Sequence, residues 1–424
     1  MTEPTPRHIA IVGSGPSGCF VAQALKRTWK DAEITVFDRL AAPYGLIRYG
    51  VAADHQHTKA ITRQFDRAFA NGDVRFAGNI EIGSDLSLDE LREAFDLVVL
   101  ASGRWRDRML SVPGSRLEGV LPSGDLINAL NAVPRPAIPM PAIGERVVVV
   151  GAGNVAIDMV RFLIKTADDY AGSDVAPEAL DQYLAAPAKR VTVLSRSPIA
   201  SAKADVAMVR ELAKVPGVRF TYANTSPAAA DNALGVKREQ AIAALADLEV
   251  DDPRVEVHFV FGAEPGRVTG DGRVEKVHLA AAPAGEPTVI EADTVISAIG
   301  FDVNAPGHWH YAEDIDFAPS EHGFLEPGLY RAGWLKRGPH GAIPANRADS
   351  VEVAKEIVAD VASGRTPIAD DRGGYESLPQ HVRDRAVSFE QWLRIDTAEA
   401  KQAGDDRIRR KFIDHDEMVA VAHG

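Results

Sequence analysis

With 424 residues, 46% of them hydrophobic and 25% charged, the chain is long enough for two to three domains with real cores. A formal charge of −13 argues against a nucleic-acid partner, and no apolar run approaches the ~18 residues of a membrane span. A single cysteine, Cys19, excludes an intrachain disulfide, a Cys-ligated iron–sulfur cluster and a redox-active C-x-x-C pair.

In chain order, the opening residues 1–7 run straight into a strand, leaving no room for a signal peptide. With one cysteine, this suits a reducing, cytoplasmic location. No metal site is expected. The strand, residues 9–12, ends in Gly13-Ser-Gly15-Pro16-Ser-Gly18. In such a motif the first glycine permits a tight turn into a helix. The second lets the backbone approach a pyrophosphate, and the third lets helix and strand pack closely. The helix then offers free N–H groups and its positive dipole end to the phosphates. The next apolar run, residues 34–37, ends in Asp38, at about the 20-residue spacing of the fingerprint. An acid there accepts bonds from ribose hydroxyls and repels a 2′-phosphate, which suits FAD or NAD. The candidate contacts of this site are Gly13, Gly15, Pro16, Gly18, Asp38 and Arg39.

Residues 41–60 read as a glycine- and histidine-bearing loop. A helical stretch over 57–70 leads to a strand near 76–82, and residues 97–103 form a buried strand ending in glycine. The proline-rich segment 132–145 reads as a linker.

A second fingerprint follows. The run 147–150 passes into Gly151-Ala-Gly153-Asn154-Val155-Ala156, with Ala156 in the third-glycine position. Extra helical material over 166–188 lengthens the crossover. The next strand, 190–194, ends in Ser195-Arg196-Ser197 without an acid. An arginine and two hydroxyls suit a 2′-phosphate, since guanidinium pairs with phosphate by a rigid fork. The first site therefore reads as FAD and the second as NADPH. Residues 255–281 alternate around Gly270-Asp-Gly272 as a hairpin, and 294–300 is a buried strand ending in glycine. A strand over 329–334 and a helix near 346–363 come next, and the tail is charged and helical with few apolar positions.

The fold class expected is α/β with two Rossmann-like dinucleotide-binding domains. Two nucleotides held at once imply electron passage between them. With no cysteine pair, electrons leave the flavin directly. The alternative reading is an NAD(P)H-dependent flavin monooxygenase or oxidase.

These residues resemble the adrenodoxin reductase family of ferredoxin–NADP reductases, which includes the mycobacterial ferredoxin reductases. The resemblance covers nearly the whole chain. Its most specific stretches are 13–18, 43–55, 151–158, 210–212 and 333–341, and the tail from Trp392 is also similar. It implies an FAD domain of residues 1–105 plus 329–424, with an NADP domain of residues 106–328 inserted. It further implies FAD contacts at Gly13, Gly15, Gly18, Asp38, Leu46, Ile82, Trp334 and the loop Gly341-Ala342-Ile343. NADP contacts would be Gly151, Gly153, Asn154, Val155 and Arg196, and His55 and Glu211 would be the catalytic pair orienting the nicotinamide.

The chain departs from the family in four places. Ser195 replaces the first of two adjacent arginines, Met208 replaces a glutamate near the 2′-phosphate, and Ala53 and Gln56 replace prolines. A reduced preference for NADPH over NADH is expected. The implied function is electron transfer from NADPH through FAD to a 2Fe–2S ferredoxin serving a cytochrome P450 or similar oxygenase. The expected state is a monomer. An acidic chain meeting an acidic ferredoxin needs a local basic patch, for which Lys26, Arg27, Arg210, Lys237 and Arg238 are candidates, Arg210 first.

Overall fold

The computed structural model describes residues 5–104, 106–134, 136–226, 232–302, 318–369 and 371–424. Its strands are β1 (His8–Val12), β2 (Glu33–Phe37), β3 (Arg75–Ala77), β4 (Leu97–Leu100), β5 (Val120–Pro122), β6 (Arg146–Val150), β7 (Arg190–Ser195), β8 (Val218–Asn224), β9 (Val255–Phe261), β10 (Glu264–Thr269), β11 (Lys276–Ala281), β12 (Val289–Glu291), β13 (Thr294–Ser297), β14 (Phe324–Glu326) and β15 (Leu329–Arg331). The chain divides into two compact units. One holds residues 1–106, 131–137 and 302–424, and the other holds 107–130 and 138–301.

The first unit is built on a sheet of order β14-β15-β4-β1-β2-β3, parallel except for the β14/β15 pair. β1 and β4 are apolar without alternation because both faces of a parallel sheet are covered. The period of two sorts their side chains between the faces. Ile9 and Ile11 pack with Phe20, Val21 and Leu25 of the helix Pro16–Thr28 and with Val353 and Ile357 of the helix Ile343–Ala362. Ala10 and Val12 face Leu88 and Leu91 of the helix Leu88–Ala94, with Phe37, Ile80 and Leu335. β1 lies between β4 and β2, so the first fingerprint sits at the carboxyl end of the strand where the sheet order reverses, which is where open α/β sheets bind ligands.

The second unit repeats the plan. Its parallel sheet runs β5-β13-β6-β7-β9-β8, with the second fingerprint at the end of β6 between β13 and β7. The antiparallel sheet β10-β11-β12 contributes Val268 and Val277 to a core shared with Val148, Val150, Leu194 and Val260.

The structure corrects several sequence readings. The junction expected at 328/329 falls at 301/302, because β14 pairs with β15 and β15 with β4. Residues 131–137 rejoin the first unit, where Val133 is buried in the same core as Ile9. The strand expected over 76–82 stops at Ala77, and Ile82 makes only an isolated bridge to Leu86. The alternation over 255–281 spans two sheets: β9 is a parallel strand, and only β10 and β11 form the hairpin. The tail is less polar in effect than its composition, since Phe389, Trp392, Ile395, Met418 and Ala422 all enter the first unit's core.

Candidate functional site

In the first unit, Gly13 has φ +109°, and a Cβ there would lie 2.5 Å from the Ala101 carbonyl oxygen. At Gly18 a Cβ would lie 1.9 Å from the Gly13 oxygen, so helix and strand touch where the third glycine stands. At Gly15 an added Cβ would meet nothing within 4 Å. The helix Pro16–Thr28 starts at Gly15 with no side-chain cap and with Pro16 at its start. By contrast, Ser87 and Ser388 close their helices with capping boxes. Open space beside uncommitted helix N–H groups is the shape and chemistry that a pyrophosphate requires.

Three segments converge on this end of the helix. The Tyr44 N–H donates to the Ser14 carbonyl at 3.1 Å and lies 3.2 Å from its hydroxyl, which seats residues 44–50 on the fingerprint. A Cβ on Gly45 would come 3.0 Å from the Gly15 Cα. Tyr44 itself has φ +83°, a conformation that a bulky residue keeps only when its surroundings enforce it. Here the Tyr44 hydroxyl donates to Asp66 and its ring stacks on Phe65. Leu46 opens the short helix Leu46–Tyr49 that follows. Gly333, at φ +67°, brings the turn bearing Trp334 close to Ser17, where a Cβ would lie 2.0 Å from the Ser17 hydroxyl. Ser17 in turn donates to Asn346 at 3.1 Å and accepts from Ser350 at 3.0 Å. This holds the helix Ile343–Ala362 alongside, and that helix too begins without a side-chain cap, just after Gly341 and Ala342.

Asp38 is held more firmly than its spacing suggests. One oxygen accepts the Ser14 N–H at 2.9 Å and the Ser14 hydroxyl, and the other accepts the Leu40 N–H at 3.0 Å. Burial raises its pKa, partly offset by these bonds and by Arg39. The Ile82 side chain is buried with Val12 and Leu100, which leaves its backbone as the part able to meet a nucleotide. Cys19 is buried, its thiol lies 3.2 Å from the Ser14 carbonyl, and burial pushes its pKa up, as befits an inert core residue. His55 is half-buried and opens the turn Gln56–Lys59, its carbonyl accepting from the Thr58 and Lys59 N–H groups.

A buried charge cluster at the helix Leu46–Tyr49 has no local signature in the sequence. Arg48 donates to both Glu399 oxygens at 2.5 and 2.7 Å and lies over the Trp392 ring at 4.8 Å. The ammonium groups of Lys59 and Lys411 converge on the same two acceptors, the Arg48 carbonyl and the Asn131 side-chain oxygen.

The second unit has a matching cradle. Gly151 has φ +127°, and a Cβ there would lie 2.3 Å from the Ala298 oxygen. At Gly153 an added Cβ would meet only the Lys203 Cβ, at 3.9 Å. The helix Asn154–Ile164 starts at Gly153 without a side-chain cap, Val155 lies in its first turn and Ala156 is fully buried. Arg196 is exposed at the end of β7. Ser195 is buried, and its hydroxyl donates to the Ser197 carbonyl at 2.8 Å. Glu211 is half-buried and pairs at 3.5 Å with the buried Arg161, a residue of the fingerprint helix. Of the candidate docking cations, Lys26 donates to the Ala32 carbonyl and Arg238 to the Ala200 and Ala204 carbonyls, whereas Arg27, Arg210 and Lys237 are exposed. Among the described residues no group of His, Cys, Asp or Glu is placed to hold a metal, and no helix is long and apolar enough to cross a membrane.

Comparison with known proteins agrees with this geometry. The sequence model of the pyridine nucleotide-disulphide oxidoreductase family matches residues 7–325. A cindoxin reductase of Citrobacter braakii is 40% identical, over 98% of this chain and 91% of its own. A probable ferredoxin/ferredoxin–NADP reductase of Mycobacterium leprae is 32% identical, over 99% of this chain and 78% of its own. The solved structure of Mycobacterium tuberculosis FprA in complex with NADPH superposes with a TM-score of 0.88 at 28% identity, covering 99% of this chain and all of that one. The chain belongs to the pyridine nucleotide-disulphide oxidoreductase family, within its adrenodoxin-reductase-like ferredoxin–NADP reductases.

Proposed function

We propose that the chain is a flavoprotein reductase that takes electrons from NADPH and delivers them to a ferredoxin. One observation carries this reading: two open glycine cradles, each at an uncapped helix start, in a chain whose one cysteine is buried. FAD belongs to the first cradle and NADP(H) to the second. Bound FAD supplies the conversion between a two-electron donor and a one-electron acceptor. Around it, Gly13, Gly15, Pro16 and Gly18 receive the pyrophosphate. Asp38, with Arg39 beside it, receives the adenosine ribose. Leu46, the backbone of Ile82, Trp334, Gly341, Ala342 and Ile343 receive the ring end.

In the second unit Gly151, Gly153, Asn154 and Val155 receive the dinucleotide, and Arg196 pairs with the 2′-phosphate. With Ser195 committed to the Ser197 carbonyl, one arginine carries that discrimination, so NADPH is favoured over NADH by less than a two-arginine site would give. His55 and Glu211 orient the nicotinamide, Glu211 from a position fixed by Arg161.

The relatives' names refer to cindoxin and ferredoxin. We take a 2Fe–2S ferredoxin as the partner, met by the monomer in the cytoplasm. The test is anaerobic. NADPH should bleach the yellow protein, and an added ferredoxin should restore the colour with matching reduction of the carrier. Reoxidation by oxygen alone, with no transfer to any carrier, would favour an oxidase instead.

A further inference from the structure

The structure assigns Lys203 as a ligand for the dinucleotide's pyrophosphate, an inference that rests on the proposed nucleotide site of the second unit. An added Cβ on Gly15 would meet nothing within 4 Å beyond its chain neighbours, whereas one on Gly153 would have one neighbour, the Lys203 Cβ at 3.9 Å, from which the rest of that side chain extends. This placement is built. The Lys203 and Ala204 N–H groups both donate to the carbonyl of Ala152, the middle residue of the fingerprint, at 3.2 and 3.0 Å. The next N–H, of Asp205, donates to the Asn154 side chain at 2.8 Å. From the other side Arg238 grips the Ala200 and Ala204 carbonyls, each at 3.1 Å. Residues 200–205 are thus fastened to the glycine turn and to the first residue of its helix.

From this mount the Lys203 side chain is exposed, and among the described residues its ammonium makes no hydrogen bond or ion pair. The neighbouring acid, Asp205, caps its own helix by accepting from Ala207 at 2.8 Å. A mobile ammonium on a four-carbon stem is suited to a phosphate approached as a point charge, whereas a guanidinium suits a planar fork. The position also fixes which phosphate. The second glycine is where the backbone meets the pyrophosphate, while the 2′-phosphate lies at the end of the following strand, near Arg196. Lys203 therefore adds affinity for NADPH and NADH alike, and Arg196 adds the discrimination.

The test uses FAD-loaded protein and three probes: NADP⁺, NAD⁺ and adenosine 2′-monophosphate, which carries the 2′-phosphate without a pyrophosphate. Binding is followed by calorimetry. Lys203→Met is expected to weaken NADP⁺ and NAD⁺ by the same factor, about tenfold for one charged contact, and to leave adenosine 2′-monophosphate unchanged. Lys203→Arg should recover most of the loss. Arg196→Ala should give the complementary pattern, weakening NADP⁺ and adenosine 2′-monophosphate and sparing NAD⁺. Loss confined to NADP⁺ and adenosine 2′-monophosphate in Lys203→Met would overturn the assignment, as would no loss for any probe. Failure of the unaltered protein to bind any of the three would overturn the nucleotide reading itself, a result distinct from either.

Discussion

At Gly15 the φ angle is −67°, comfortable for alanine, and beyond its own chain neighbours nothing stands within 4 Å of an added methyl. At Gly18 the same methyl would fall 1.9 Å from a backbone oxygen. Two glycines three residues apart therefore separate folding from binding. Gly18→Ala should cost stability, seen as a lower melting temperature or loss of soluble protein. Gly15→Ala should leave the melting temperature of the flavin-free protein almost unchanged and yet lower the FAD-to-protein ratio after gel filtration. Gly153→Ala, with only the Lys203 Cβ nearby, should retain FAD and weaken NADP⁺. Full FAD retention in Gly15→Ala would mean that nothing occupies the open space. These glycines are legible in the sequence because their requirement is local: a turn, an approach and a packing contact at fixed offsets. Ser14 and Lys203 are not, because what they do depends on which loop folds back over them.

At the scale of elements, the helix Leu46–Tyr49 is too short to stand by its own hydrogen bonds. It is held by contacts distant in sequence, above all Arg48 with Glu399, a residue 0% exposed. Glu399→Gln keeps the acceptor oxygen and removes the charge, leaving Arg48, Lys59 and Lys411 buried with less compensation. Removing one partner of a buried pair typically costs about 3–5 kcal/mol. Urea unfolding should show a loss of that order, and unchanged stability would mean that the pair is not formed. No pattern of periodicity announces such a pairing, which is why the tail reads as merely charged until its aromatic residues are seen in the core. A second element-scale effect concerns Asp107, which accepts from Gly124 and Ser123 at the start of the helix Ser123–Leu130. Burial raises its pKa to about 6 from 3.8, with the hydrogen bonds from Gly124 and Ser123 opposing the shift. The folded state then holds the proton more tightly than the unfolded one. The stabilisation is complete below pH ~4 and lost as pH rises through ~6. Asp107→Asn should flatten melting temperature against pH across that window, and an unchanged slope would place the titration elsewhere.

At the scale of the whole molecule, the doubled fingerprint made the two-unit plan legible, since each copy carries its own strand, turn and helix. The junctions were harder to read. Nothing local marks Val133 or the strand Phe324–Glu326 as part of the first unit, because both placements follow from pairing and burial at long range. The overall charge of −13 poses a physical problem of the same scale, because an acidic carrier is repelled unless a local patch steers it. Lys26 and Arg238 are engaged with backbone carbonyls, which leaves Arg27, Arg210 and Lys237 exposed, with Arg210 adjacent to the proposed nicotinamide-orienting Glu211. Arg210→Glu should slow reduction of ferredoxin, and of cytochrome c through ferredoxin, while changing NADPH-dependent ferricyanide reduction much less. In the unaltered protein the ferredoxin rate should fall as salt rises, since attraction between opposite charges is screened beyond about 10 Å at 0.1 M. That dependence should flatten in Arg210→Glu. Equal loss with both acceptors would assign Arg210 to NADPH or to the fold, and a ferredoxin rate indifferent to salt would remove electrostatic steering from the encounter altogether.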